Sequence, residues 1–80
     1  MKDLPKWFTK KGGQQYTEGG NVSNPFSGAS ETLNANELSI YDFITGCQMI
    51  RMDQEVQKDF RRALDWFRVA NPSAYMTLLD

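Results

Sequence analysis

The side chains that could do chemistry here are few: one cysteine, Cys47, ten carboxylates and nine basic residues, with no histidine. A nucleophilic thiol needs an accessible, electropositive setting that favours the thiolate. Cys47 instead falls in a helically spaced apolar stripe with Ile40, Phe43, Ile44 and Ile50, where it reads as a buried structural thiol. General acid and base work usually recruits histidine, and the carboxylates mostly stand beside a basic residue or where a helix cap belongs. The glycine pairs Gly12-Gly13 and Gly19-Gly20 match neither a phosphate-binding loop nor a dinucleotide fingerprint. No zinc site of the usual cysteine and histidine spacing can be written, and no stretch has the acidic pattern of a calcium loop. The chain is therefore expected to be no enzyme and to carry no cofactor.

Nucleic-acid binding is the next chemistry to weigh. Lys10 and Lys11 close a basic N-terminal arm, and Arg61, Arg62 and Arg68 lie on one helical segment, so a helix-turn-helix outline with a basic arm can be drawn. Against it stand Glu55, Asp59 and Asp65 interleaved on the same helix, a net charge of -1 and a pI near 5.3. No net positive field would drive phosphate binding. This remains the alternative function, behind protein–protein association.

The element that must organise everything else runs from Asp53 to Asn71. Val56, Phe60, Ala63, Leu64, Phe67 and Ala70 recur at a spacing that gathers them on one face of an α-helix, opposite Gln54, Lys58, Arg61, Arg62, Asp65 and Arg68. Asp53 is its expected N-cap. Pairs such as Glu55 with Lys58, Asp59 with Arg62, and Asp65 with Arg61, Arg62 and Arg68 suggest a solvated outer face. Asn71-Pro72 must stop this helix, and the same dipeptide starts another well, so a short third helix is expected over 72–79.

Upstream, Asn34 with Glu37 forms a capping box, and Leu33 with Leu38 a hydrophobic staple, opening a helix that should run from Ala35 to about Ile50. The short junction at 51–53 favours a helical hairpin, with one kinked continuous helix as the other option. Gly46 sits inside the first of these helices at a cost of about 1 kcal/mol relative to alanine, which marks close packing or a weak spot. That helix carries a second apolar stripe, Leu38, Tyr41, Met49 and Met52, which the partner helix cannot cover.

The first third of the chain is less regular. Residues 1–13 hold Lys2, Lys6, Lys10 and Lys11 with Trp7 and Phe8, which either dock on the body or await a partner. Residues 14–33 are rich in Gly, Ser, Asn and Thr. Strands near 21–24 and 29–33 could pair across Asn24-Pro25-Phe26-Ser27-Gly28, and a draped loop is the other reading. The fold class expected is thus mainly α in a single domain of 80 residues: a helical hairpin and a short C-terminal helix (34–80), with an irregular or β-hairpin N-terminal third (1–33).

Lys6-Trp7-Phe8, Asn24-Pro25-Phe26-Ser27-Gly28, the run from Glu37 to Ile44, and Leu64-Asp65-Trp66-Phe67-Arg68 with the stretch from Ala70 to Asp80 resemble small uncharacterised proteins encoded by T4-like phages of marine cyanobacteria. The resemblance implies a viral origin and an accessory role in the host cytoplasm, by binding a host or phage protein. It carries no catalytic or cofactor residue. A lone cysteine, no apolar leader in the first residues and no apolar run long enough to span a bilayer independently suggest a cytoplasmic protein without membrane contact. The expected function is association, with itself as a homodimer or with another protein, through Leu38, Tyr41, Met49, Met52 and Trp66. In a monomer, the N-terminal arm and the hairpin would cover the same surface instead.

Overall fold

The computed structural model describes residues 1–79 as four helices and one two-stranded antiparallel sheet. In chain order these are α1 (Lys6–Lys10), β1 (Gly20–Ser23), β2 (Ser30–Leu33), α2 (Ala35–Gln48), α3 (Gln54–Ala70) and α4 (Pro72–Leu78). The mainly helical architecture is the one expected, and of the two readings of the N-terminal third the chain adopts the β-hairpin.

Each long helix begins where a side chain can satisfy its free N–H groups. At α2, Asn34 Oδ1 accepts from the Glu37 amide at 2.9 Å, and Glu37 Oε1 accepts from the Asn34 amide at 3.1 Å, completing the capping box. Asp53 Oδ1 accepts from the Val56 amide at 2.9 Å to start α3, and Asn71 Oδ1 accepts from the Ala74 amide at 3.1 Å ahead of Pro72 to start α4. α2 and α3 form the expected hairpin. Tyr41 packs against Phe67 with ring centroids 6.3 Å apart, while Cys47, nearer the turn, feels the charge of Asp59. That pairing order is antiparallel.

The core is Ile40 and Ile44 from α2, Ala63, Trp66 and Phe67 from α3, Ala74 and Leu78 from α4, Leu33 from β2 and Phe8 from α1. Five residues could not hold α1 helical alone, so its order comes from docking. Phe8 is buried, and Trp7, Phe8 and Phe43 meet edge to face with centroids 5.6 to 5.9 Å apart. The Phe8 ring lies against Gly13, where any Cβ would collide with it. Of the two possibilities for Trp7 and Phe8, the chain adopts docking.

The hairpin pairs Gly20 with Leu33 through to Ser23 with Ser30, one residue earlier on the first strand than expected. Asn24 Oδ1 accepts from the Phe26 amide at 2.9 Å, and Gly28 takes a φ of +78° to bring the chain back. The sheet docks on α4, since Asn24 Nδ2 donates to the Thr77 carbonyl at 3.0 Å and Thr77 Oγ1 to Glu31 at 3.1 Å. Buried Glu37 also accepts from Asn71 Nδ2 at 3.2 Å, so one carboxylate ties the start of α2 to the start of α4.

Two expectations are corrected. α2 ends at Gln48, and its last turn tightens as Met49 and Ile50 donate to carbonyls three residues back, at 3.1 and 3.4 Å. The outer face of α3 is not wholly solvated either. Asp59 is buried, and Lys11 from the arm reaches it at 2.7 Å and Glu55 at 3.1 Å. Glu55 therefore pairs with the arm, not with Lys58, and Asp65 pairs with Arg68 at 2.9 Å.

A candidate interaction surface at the end of α2

The surface is built from the second stripe of α2, and the fold divides that stripe in two. Leu38 is half-buried beneath the hairpin, 3.7 Å from where a Cβ on Gly20 would stand. Tyr41 is half-buried against Phe67, and Met52 is half-buried in the turn. Met49 is 85% exposed. Trp66 is placed differently from its expected role: it belongs to the core, with its indole Nε1 donating to the Asp3 carbonyl at 2.9 Å beneath the arm. The hairpin and α3 thus cover the upper stripe and leave Met49 bare at its lower end.

Around Met49 the structure collects residues that the sequence did not point to. Phe26, at the tip of the β-turn, is 97% exposed and borders, with Tyr41, Thr45, Met49 and Leu79, a cavity of about 380 Å³. Ile50, expected to face α3, is 59% exposed, because α2 ends before carrying it inward. It borders a second cavity of about 300 Å³ with Phe8, Phe43, Gly46 and Cys47. The last turn of α2 therefore separates a largely apolar hollow on the Ile50 side from a mixed one that Asn24 and Gln48 also line. The signal for Phe26 was present as a large apolar residue inside an otherwise polar turn. Val69 and Met76 are also exposed, on α3 and α4.

Polar chemistry is sparse on this surface. Burial, and after it the negative charge of Asp59, push the Cys47 thiol above its ordinary value, which disfavours the thiolate. No group of three or more metal-ligating side chains occurs among the described residues. The basic residues considered for nucleic acid are largely committed elsewhere. Lys11 is held by Asp59 and Glu55, Arg62 lies 3.8 Å from Asp59, and Arg68 is bound to Asp65 and stacked 5.9 Å over Tyr75. Lys10 is exposed at the end of α1, and Arg61 lines a shallow hollow with Gln54, Gln57 and Lys58.

Compared with known proteins, the chain matches no family model, no curated protein and no solved structure. Among the described residues, no helix is long and apolar enough to cross a membrane.

Proposed function

We propose that this chain is an interaction module that works by protein–protein association, presenting the end of α2 to another polypeptide. The observation that carries this reading is the exposure of Phe26, Met49 and Ile50 beside two hollows, the one at Ile50 largely apolar. Scattered exposed apolar residues are ordinary on any protein, but large ones bordering adjoining hollows form the kind of patch that partners cover. The resemblance to small proteins of cyanobacterial T4-like phages supports a cytoplasmic accessory role, in which the partner is a second copy or a host or phage protein. The internal pairing of Lys11, Arg62 and Arg68 weighs against nucleic acid as the partner.

Site-specific photo-crosslinking tests the reading. A benzophenone amino acid at position 49 should form adducts with a polypeptide in cells that make the protein, while the same group in place of Lys58, on the polar face of α3, should not. Equal yields from the two positions, or none from either, would overturn it.

A further inference from the structure

We propose that the N-terminal arm is a displaceable strap that swings on Gly12-Gly13, with Asp59 exchanging Lys11 for Arg62 as the arm lifts and the seat of Phe8 opening onto the hollow at Ile50. The device belongs to the arm, and it stands whether or not the end of α2 binds a partner.

The arm is fastened at few points. Asn36 Nδ2 donates to the Lys2 carbonyl at 3.0 Å and the Trp66 indole to the Asp3 carbonyl at 2.9 Å, which holds the first residues. The five-residue α1 that follows is held by the ring contacts of Trp7 and Phe8 with Phe43. After it, Lys11 is bound to Asp59 and Glu55. The chain then turns at Gly12, whose φ of +75° and open surroundings suit a pivot, and it is anchored again at Tyr16, whose amide donates to Ser39 Oγ at 2.9 Å. A short helix that only docking keeps ordered is the kind of segment that opens without the rest of the fold.

Asp59 supplies the two positions. Its side chain is 8% exposed, and Oδ2 takes the Lys11 ammonium at 2.7 Å while Oδ1 has no hydrogen-bond donor. A buried acceptor without a donor is costly, and this one has a donor waiting. Arg62 Nη1 stands 3.8 Å from Oδ1, three residues further along α3, too far for a hydrogen bond and near enough to form one by a side-chain rotation. While Lys11 is seated, Arg62 contributes little. When the arm lifts, the carboxylate passes to Arg62 within its own helix, and no charge is stranded. That exchange lowers the cost of opening and gives the arm two defined positions.

The lift uncovers an apolar seat. Phe8 is buried against Phe43, and with Phe43, Cys47 and Ile50 it lines a hollow of about 300 Å³. Removing its ring joins seat and hollow into one groove that ends at the exposed Ile50. The closed arm therefore withholds Phe43 from that surface, and the open arm adds it.

Hydrogen exchange at the Trp66 indole, followed by NMR, tests the strap. This N–H points to the Asp3 carbonyl beneath the arm and exchanges when the arm lifts, whereas the Phe67 amide, inside α3, exchanges when the body unfolds. Relative to its unfolded rate, the indole should be less protected than that amide. Lys11→Met should speed indole exchange by about fivefold, because the closed arm then leaves Asp59 unpaired. Arg62→Gln should slow it by about twofold with the Phe67 amide unchanged, because the open arm loses its substitute donor. An arginine that merely supported the closed arm would give the opposite sign. Equal protection of indole and amide would mean that the arm opens only with the whole fold, and an Arg62→Gln variant whose indole exchanges faster or at the wild-type rate would remove the exchange of partners. Either result overturns the proposal, and neither bears on association through the end of α2, which crosslinking from position 49 reads separately.

Discussion

The two ends of α2 are finished in different ways. At its start, Asn34 and Glu37 cap each other, Leu33 is buried, and Glu37 is bound in turn by Asn71. Tyr16 donates its amide to Ser39 Oγ at 2.9 Å, and Ser39 donates onward to the Ala35 carbonyl at 2.8 Å, so the first turns are sealed by the hairpin segment. At its end there is no glycine stop and no side-chain cap, only a tightened turn with Met49 and Ile50 in the open. One helix thus combines a fold-determining end with an end that contributes little to the fold. Where a small domain leaves large apolar groups uncovered, the surface is available for association at little cost to its own stability.

That contrast can be broken most forcefully in the core. Phe67→Ala, at a fully buried ring beside the sealed part of α2, should cost about 3–5 kcal/mol, while Met49→Ala should stay within about 0.5 kcal/mol. Urea unfolding of the two variants measures both, and similar losses would show that the open end also holds the fold. Asn34→Ala should cost about 1 kcal/mol in the same assay by removing the cap on the sealed end.

The smallest effect concerns the arm. Hydrogen bonds to Asp59, and then to Glu55, raise the pKa of Lys11 above its ordinary value near 10.5. Because the folded value is the higher one, the stabilisation is complete below the unfolded value and is lost as pH rises through the folded value. Wild type should therefore lose its advantage over Lys11→Met only at strongly alkaline pH, as followed by thermal melts of both proteins. A constant difference across that range would mean that the ion pair does not hold the arm. The loss is expected to be modest because the lysine is largely solvated.

How much of this was legible in the sequence follows from the range of the interactions. Asn34, Asp53, Asn71 and Pro72 act within a turn of their own helices, and they placed the starts of α2, α3 and α4 correctly. The helix α1 was not foreseen, because five residues have no helical signal of their own and depend on the contact of Phe8 and Trp7 with Phe43. Asp59 looked solvated because its partner Lys11 is 48 residues away. Trp66 looked marginal on the helix face, and the N-terminal arm that covers it could not be placed by periodicity. Of the candidate surface, Met49 was visible in the second stripe of α2. Phe26 and Ile50 were not, since their exposure depends on where the hairpin docks and where α2 stops.

The solution mass of wild type and Met49→Glu, followed by light scattering across a concentration series, decides whether the open end of α2 self-associates. Association through the open end of α2 predicts a wild-type mass that climbs from 9.2 kDa toward twice that value, while the variant stays at the mass of one chain. Two proteins that remain at 9.2 kDa at every concentration would contradict self-association through this surface.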